Sequence, residues 1–374
     1  MVSTGLVPSK TDVLVIGGGP AGLAAALAAR QAGLDVVLAD RAQPPIDKAC
    51  GEGLMPDALA ALQRIGVDLG STQSAAFRGI RFLDDKLEAE ASFPPGSFGL
   101  GIRRTEIHRI LVDRAEQAGV VGLWGRPIEG LDPTGAMIGG RTIRSRWIVG
   151  ADGFHSRVRQ WAGLGPPAWS GVRRIGIRQH YRIRPWTDFV EVYWRKDCQA
   201  YVTPIGANEV CVAVVSTKES RASDLPEVFP ALANHLRGAE LVGPTRGAIS
   251  MSARLRSVVS GRIALVGDAS GSVDAVTGEG LGLAFRQANC LATALAAGDL
   301  KMYDMSHRRI GRMPRLMARS LLLLDSNDSL RRTVFCKLAA YPRLFSGLLA
   351  MHVGAFRRPE LATGVHLSGL RRWT

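Results

Sequence analysis

At 374 residues and 46% apolar composition, the chain can form one large or two closely joined domains with a full core, which excludes a mainly disordered protein. Its five cysteines lie far apart without a Cys-x-x-Cys pair, so neither a disulfide framework nor a zinc site is expected. The net charge of +14 is concentrated after residue 300, where two Lys and twelve Arg face three Asp and one Glu, a pattern that suits an anionic partner or a solvated helical surface.

The first patterned segment is TDVLVIGGGPAGLAAALAARQAGLDVVLADR. Residues 13–16 predict a buried strand, the Ala- and Leu-rich stretch up to Gln31 a helix, and residues 34–39 a second strand, an order that indicates a parallel sheet. Four glycines and a proline interrupt the apolar stretch, which argues against a membrane-spanning helix. Residues 1–10 carry no secretory-signal pattern, so a cytoplasmic protein is expected.

The turn between this strand and helix reads Gly17-x-Gly19-x-x-Gly22. Gly17 permits a tight turn, Gly19 lets the backbone approach a pyrophosphate, and Gly22 lets helix and strand pack closely. Asp40 ends the second strand, where it can accept hydrogen bonds from an adenosine ribose. The pattern therefore predicts a dinucleotide site, which also includes Pro20, Ala21 and Arg41.

The stretch DKACGEGLMP follows at residues 47–56. The ammonium of Lys48, two residues before Cys50, would lower the thiol pKa and favour the thiolate. A free cysteine is also often a small apolar packing residue, so both interpretations stay open. Glu52 is either an acid or base or an acceptor for the amides of its own turn.

The segment RRTEIHRILVDRAEQAG predicts a helix that ends at Gly119, and residues 172–216 predict an antiparallel sheet that forms a second domain. In RRIGIRQHYRIR, isoleucines alternate with a basic set that includes Arg174, Arg178 and His180. This period of two indicates a strand with one exposed basic face, and His180 is expected to face solvent. The segment GRIALVGDASG, residues 261–271, returns to the pattern of a buried parallel strand, and helices are expected after residue 301.

Two further motifs decide the resemblance: Asp152-Gly153 after one strand and Gly267-Asp268 after another. With the N-terminal glycine pattern, they resemble the FAD-dependent aromatic-hydroxylase-like superfamily over about residues 11–300. That superfamily includes flavin monooxygenases, geranylgeranyl reductases and flavin halogenases. The resemblance implies FAD as the cofactor.

The resemblance also implies roles for individual residues. Asp268 would contact the ribityl chain, Asp152 and Gly153 would lie near the pyrophosphate, and Arg104 would contact the cofactor. A helix that begins near Gly278, Gly280 and Leu281 would stabilise the negative charge of the reduced flavin. Cys50 and Gly51 are expected beside the flavin. The candidate catalytic residues are Cys50, Lys48 and Tyr201, the last of which could orient a substrate or only pack.

The motifs do not all match one branch of the superfamily. DKACGEGLMP and the residues Ser270, Gly271, Ala275, Gly282 and Gln287 resemble the reductase branch. The reductases' Tyr-x-Trp-x-Phe-Pro signature is here only Tyr-Val-Thr-Pro-Ile at residues 201–205, and the halogenase signature Trp-x-Trp-x-Ile-Pro is absent. No second Gly-x-Gly-x-x-Gly pattern follows another strand, so either NAD(P)H visits the flavin transiently or a partner protein delivers electrons.

The predicted fold is α/β, with a Rossmann-like FAD-binding domain built on a parallel sheet (residues 1–78, 100–168 and 260–300). An antiparallel β-sheet substrate domain (79–99 and 169–259) and a basic helical C-terminal region (301–374) complete it. The favoured function is an NAD(P)H-dependent monooxygenase that hydroxylates an apolar aromatic or polyketide-like substrate. The alternative is a flavin-dependent reductase of carbon-carbon double bonds in an isoprenoid-like substrate, and a minor one is a non-catalytic flavin-binding module.

The expected partner is a small apolar substrate. Nucleic acid is not expected, because the basic helices lack interleaved aromatic residues for base stacking. A peripheral membrane contact through the Leu- and Arg-rich C-terminal helices is a further hypothesis, so the protein is expected to be cytoplasmic or membrane-associated.

Overall fold

A computed structural model describes residues 8–70, 72–84, 87–218 and 224–354. The strands are β1 Lys10–Ile16, β2 Val36–Asp40, β3 Gly53–Leu54, β4 Ala75–Phe77, β5 Gly79–Asp84, β6 Leu87–Ser92, β7 Gly99–Gly101, β8 Val121–Trp124, β9 Ile128–Leu131, β10 Gly135–Ile138, β11 Arg141–Gly150, β12 Ala168–Arg182, β13 Val190–Arg195, β14 Cys198–Gly206, β15 Glu209–Ser216, β16 Glu240–Leu241, β17 Arg246–Arg254, β18 Val259–Ser260 and β19 Ile263–Leu265.

The α-helices are α1 Pro20–Gln31, α2 Pro56–Arg64, α3 Arg104–Gln117, α4 Arg157–Trp161, α5 Leu225–Val228, α6 Pro230–His235, α7 Gly280–Ala297, α8 Leu300–Ile310, α9 Arg312–Ser326, α10 Asp328–Ala340 and α11 Pro342–His352. Two short 3-10 helices, Gly267–Ser270 and Ala275–Thr277, precede α7.

The first sheet has the strand order β18-β19-β11-β1-β2-β8, with β10 and β9 attached beside β11. Its central pairs, β19 with β11, β11 with β1, β1 with β2, and β2 with β8, are all parallel. The fully buried residues of β1 pack with the alanines and leucines of α1 and α7. Both faces of β1 are buried, so its sequence is a continuous apolar run. That run is the pattern from which the strand is predicted.

The second sheet has the order β16-β12-β15-β14-β13-β5-β6, and β17 pairs with β12. All its pairs are antiparallel except the parallel pair of β13 and β5. The predicted fold class is therefore confirmed, with one parallel pair added. A two-residue loop, Ala207 and Asn208, joins β14 to β15.

The prediction of an exposed basic face on β12 is wrong. Arg174, Arg178 and His180 are all buried, each less than 4% exposed. The opposite face carries Ile177, which packs against the cluster that α5 and α6 help to form. Since those helices cover the isoleucine face, the basic face turns toward the first sheet. On this face of the strand, the arginines that reach solvent are Arg182 and Arg184, at the end of the pattern.

Helices α9, α10 and α11 cover one end of the second sheet. Two buried ion pairs join them to it: Arg174 to Asp325 at 3.6 Å and Arg331 to Asp84 at 2.8 Å. No single helix in the described ranges is long and apolar enough to cross a membrane, and α10 with α11 meets that test only as a pair bent by 105°. Residues 355–374 of the predicted basic region lie outside the described residues.

Candidate functional site

A cavity of about 1130 Å³ lies between the two sheets and the C-terminal helices. Its walls come from the turn after β1, the loop before β3, the starts of α3 and α7, the second sheet, and helices α9 to α11. The predicted site residues that line it are Gly19, Pro20, Ala21, Lys48, Cys50, Gly51, Arg104, Gly153, Tyr201, Gly267, Asp268, Gly278, Gly280 and Leu281. Separate segments of the sequence thus meet in one place.

Gly17 and Gly22 support the cavity wall from behind. Gly17 has a φ of +113°, and a Cβ there would lie 2.4 Å from the carbonyl carbon of Ala151. A Cβ at Gly22 would lie 1.8 Å from the Gly17 carbonyl oxygen. A Cβ at Gly19 would have no atom within 4 Å, although Gly19 lines the cavity. The first and third glycines therefore serve packing, while the second leaves open space for a ligand.

Asp40 and His108 hold the glycine turn. The Asp40 carboxylate accepts hydrogen bonds from the backbone of Gly18 at 2.6 Å and of Ala42 at 2.8 Å. Nε2 of His108 lies 2.8 Å from the Gly18 carbonyl oxygen. Burial lowers the His108 pKa, so the ring is neutral and donates to that oxygen. Sequence reasoning missed His108, although it stands one helical turn after Arg104 on α3; Arg41 is exposed and does not line the cavity.

Asp152 does not line the cavity either. Its carboxylate accepts hydrogen bonds from the Ser156 hydroxyl at 2.5 Å and from the backbone of Arg157 at 2.7 Å and Val158 at 3.1 Å. It therefore caps the short helix α4, and its neighbour Gly153 reaches the cavity with a φ of +81°. Of this Asp-Gly motif, Gly153 lines the cavity, whereas the Asp152 carboxylate is occupied at the start of α4.

Asp268 projects into the cavity from the 3-10 helix after β19. Desolvation raises the pKa of this carboxyl group, while the positive charges of Lys48 and Arg104 oppose the rise. The side-chain oxygen of Gln287 accepts a hydrogen bond from the Gly267 backbone amide at 2.8 Å, which holds the backbone just before Asp268 in place. A carboxylate held at the carboxyl edge of a parallel strand is a suitable acceptor for ligand hydroxyl groups.

The thiol of Cys50 does not behave as the Lys48 argument predicted. Desolvation raises its pKa above the ordinary value, and Glu52 raises it further, while Arg104 opposes the rise. Lys48 is exposed, so solvent screens the charge of its ammonium group. The thiolate interpretation is therefore corrected: Cys50 is a neutral thiol on the cavity wall at neutral pH.

Glu52 and His180 form a buried pair that the sequence did not predict. The Glu52 carboxylate accepts the backbone amide of Arg104 at 2.9 Å and lies 2.7 Å from Nε2 of His180. Nδ1 of His180 accepts a hydrogen bond from the guanidinium of Arg178 at 3.0 Å, and Arg178 also donates to Asp47 at 2.5 Å. His180 is thus an internal member of a charged chain beside the cavity, which corrects the solvent-facing prediction.

Glu52, His180 and Cys211 also lie within 4.8 Å of one another, close enough to hold a metal ion. Two observations disfavour that use. The Cys211 pKa is raised well above its ordinary value by burial, so the thiol keeps its proton. Both ring nitrogens of His180 already have partners, one of them the Arg178 guanidinium, whose charge would repel a cation.

A family model described as "FAD binding domain" matches residues 10–298. The chain belongs to this FAD-binding family. It is an FAD-dependent oxidoreductase, and the predicted resemblance, cofactor and enzyme class are confirmed at that level.

This flavoprotein is 28% identical to the menaquinone reductase of Mycolicibacterium smegmatis over 325 residues. The aligned region covers 79% of each chain. The flavoprotein is 29% identical over 299 residues to digeranylgeranylglycerophospholipid reductase 1 of Methanopyrus kandleri, covering 73% of this chain and 77% of that protein. Its fold matches the crystal structure of a flavoprotein/dehydrogenase from Cytophaga hutchinsonii with a TM-score of 0.80, 20% identity, and coverage of 92% and 93% of the two chains.

The cavity residues of the flavoprotein fit FAD. The open space at Gly19 and the amide groups at the start of α1 suit a pyrophosphate. The carboxylate of Asp268 suits the ribityl hydroxyl groups. Nε of Arg104 is buried and has no hydrogen-bond partner in the described part of the chain, so a donor stands ready for the cofactor. When bound, FAD would supply hydride and electron transfer at this end of the cavity.

Proposed function

We propose that this flavoprotein is a reductase of carbon-carbon double bonds in an isoprenoid-like lipid. Of the two enzymatic functions that the sequence left open, this one accounts better for the shape and lining of the cavity. A monooxygenase would use the same FAD end of the cavity. The experiments therefore distinguish double-bond reduction from oxygenation.

The apolar end of the cavity carries the proposal. Beyond the FAD end, the cavity continues among α9, α10 and α11, where its walls are aliphatic or aromatic apart from Ser320 and His352. The residues of this apolar channel include Met313, Met317, Leu321, Leu324, Leu330, Val334, Leu338, Leu348 and Leu349. A channel whose lining on α9 to α11 is apolar except for Ser320 and His352 suits a long hydrocarbon chain better than a compact phenol or polyketide.

The size of the cavity agrees with this interpretation. Its volume of about 1130 Å³ exceeds the roughly 300–1,000 Å³ of ordinary small-molecule pockets, so cofactor and chain can share it. Its Lys, Arg, Asp and Glu lining residues, Lys48, Glu52, Arg104, Arg178 and Asp268, all lie outside helices α9 to α11. The relatives support the same substrate class, because one is named as a reductase of a digeranylgeranyl lipid and another as a menaquinone reductase.

Reduction of a double bond adds a hydride to one carbon and a proton to the other, and the hydride would come from bound, reduced FAD. We assign the proton to Cys50. Its raised pKa keeps the thiol protonated at neutral pH, and it lines the cavity beside Arg104. The Glu52 backbone amide contacts the Cys50 sulfur at 3.4 Å and would stabilise the negative charge left after proton transfer. Lys48 would then favour the return of a proton from solvent.

Tyr201 has a positioning role in this proposal. Its hydroxyl donates to the carbonyl oxygen of Val276 at 3.1 Å, and burial raises its pKa far above the ordinary value. The phenol therefore keeps its proton and holds the 3-10 helix at the flavin end of the channel. NAD(P)H remains the predicted electron donor, with a protein donor as the alternative.

The experiment is an oxygen-free reoxidation assay. The protein is reduced with dithionite and mixed with a detergent-dispersed geranylgeranyl lipid or with a matched saturated lipid, and the flavin absorbance is followed. Reoxidation by the unsaturated lipid alone supports the proposal. Reoxidation that requires oxygen, with neither lipid acting as an acceptor, would refute it in favour of oxygenation.

A further inference from the structure

Three segments without acidic residues meet where the apolar channel opens. They are residues 168–178 of β12, residues 246–256 in and after β17, and residues 312–324 of α9, here called the channel-mouth face. Trp169 pairs with Ala253 in the sheet, and a Cβ at Gly171 would lie 3.9 Å from Leu322 of α9. The three segments are therefore neighbours.

Large apolar side chains protrude from this face. Val172 is 65% exposed and Trp169 45%, while Leu316 and Leu323 of α9 are 58% and 57% exposed. Leu316 and Leu323 also line the cavity, as does Ile249 of β17. Exposed apolar residues thus surround the opening of an apolar channel, a grouping more typical of an interaction surface than of scattered exposure.

The charge of the same face has one sign. Its three segments contain nine arginines and no Asp or Glu. The exposed ones are Arg173, Arg254, Arg256, Arg312 and Arg319, together with Arg246, which forms an ion pair with Asp47 at 3.0 Å. On α9, Arg312 and Arg319 stand four before and three after Leu316, so they share its side of the helix. Leucines flanked by arginines on one helical face are typical of helices that lie in a membrane interface.

We propose that the channel-mouth face binds an anionic lipid membrane and opens the apolar channel into it. The protruding side chains would enter the acyl boundary, and the arginines would contact lipid phosphates. A lipid chain could then pass from the bilayer into the channel without crossing water. The proposal rests on the proposed function only for the identity of that lipid; the membrane contact itself rests on the surface.

Vesicle flotation of the full-length, FAD-loaded protein tests the contact. Vesicles of phosphatidylcholine with phosphatidylglycerol are compared with vesicles of phosphatidylcholine alone, and the protein is expected to float with the anionic ones. The double variant Arg312→Gln and Arg319→Gln should weaken partitioning about thirtyfold, at about 1 kcal/mol for each arginine. The double variant Trp169→Ser and Val172→Ser should weaken it roughly tenfold.

The matched controls lie in the other sheet. Arg141 and Arg144 are exposed on β11, and Met137 is 45% exposed on β10. The variants Arg141→Gln with Arg144→Gln, and Met137→Ser, should float like the wild type. Equal binding by face and control variants, or no binding of the wild type to anionic vesicles, would overturn the proposal; the second result would leave the face to a protein partner.

Turnover distinguishes this proposal from the proposed function. Arg312, Arg319, Trp169 and Val172 do not line the cavity, so their variants should keep wild-type activity on a detergent-dispersed lipid and lose activity on the same lipid in vesicles. If the wild type reduces neither form and still floats, the proposed function fails and the membrane contact stands. If the face variants reduce the vesicle-borne lipid as well as the wild type does, the membrane contact fails and the function stands.

Discussion

The Glu52 carboxylate lies 2.7 Å from Nε2 of His180, although 128 residues separate the two in the sequence. Glu52 has a φ of +59°, a conformation that a non-glycine residue adopts at some cost. Its carboxylate offsets that conformational cost by accepting hydrogen bonds from Nε2 of His180 and from the Arg104 backbone amide. The pair therefore fastens the loop that carries Cys50 to α3 and to the second sheet.

Loss of this carboxylate should destabilise the protein. Glu52→Ala leaves two buried donors without their acceptor, and we expect the free energy of unfolding to fall by about 3 kcal/mol. Urea unfolding of the FAD-loaded protein measures the change. Glu209→Ala is the control, because Glu209 pairs with Arg103 nearer the surface and its loss should cost under about 1 kcal/mol. Similar losses for both variants would refute the role given to Glu52.

Two glycines of the same motif should respond in opposite ways. Gly19→Val places its side chain in the open space at the cavity wall, so we expect FAD to be lost while the apoprotein stays folded. Gly22→Ala forces a Cβ to within 1.8 Å of the Gly17 carbonyl oxygen, so we expect the fold itself to be destabilised, by several kcal/mol. FAD absorbance and thermal unfolding separate the outcomes. A Gly19→Val protein with full FAD loading would contradict the site.

Acid should destabilise the protein partly through His307. Burial lowers its pKa to about 4 from the ordinary value of 6.5, and the Arg315 charge adds to the effect; Nε2 lies 2.9 Å from the Ser270 hydroxyl. Between these two values the unfolded chain binds a proton that the folded protein does not. This contribution, about 3 kcal/mol, is therefore fully present above pH 6.5 and is lost as pH falls through 4.

The variant His307→Gln isolates that contribution. Its stability at neutral pH differs from that of the wild type by the altered packing, but from pH 6.5 to pH 4 the free energy of unfolding of the wild type should fall by about 3 kcal/mol relative to that of the variant. Denaturant unfolding at several pH values supplies the curves. Parallel curves would show that His307 does not titrate as its surroundings indicate.

Cys50→Ser should retain FAD and lose turnover. A serine hydroxyl is a far weaker acid than a thiol, so we expect the rate of product formation to fall about a hundredfold with little change in flavin content. Cys336→Ser provides the matched control, because Cys336 is exposed on α10. If Cys50→Ser turned over at the wild-type rate, Cys50 would line the cavity without donating the proton.

Much of the cofactor end could be predicted from the sequence because its determinants are local. The glycine pattern, Asp40 and Asp268 each stand at the end of a strand, and the carboxyl ends of parallel strands meet at one edge. Short sequence spacings and the positions of the strand ends were enough to predict that Gly19 and Asp268 share one site, and both line the cavity.

The substrate end could not be predicted in the same way. The alternation in β12 correctly placed Arg178 and His180 on one face, but alternation alone does not tell which face is covered. Helices α5 and α6 cover the other face, and they come more than 40 residues later in the chain. The partners of His180 and the apolar channel depend on such long-range packing, which no local pattern reports.

In the proposed function, the flavoprotein reduces a carbon-carbon double bond and does not activate oxygen. The most direct test is the product mass after single turnover of reduced protein with a geranylgeranyl lipid, measured without oxygen and again in air. We predict a gain of two hydrogens in the oxygen-free reaction. An unchanged lipid without oxygen, together with the gain of one oxygen atom in air, would contradict the claim.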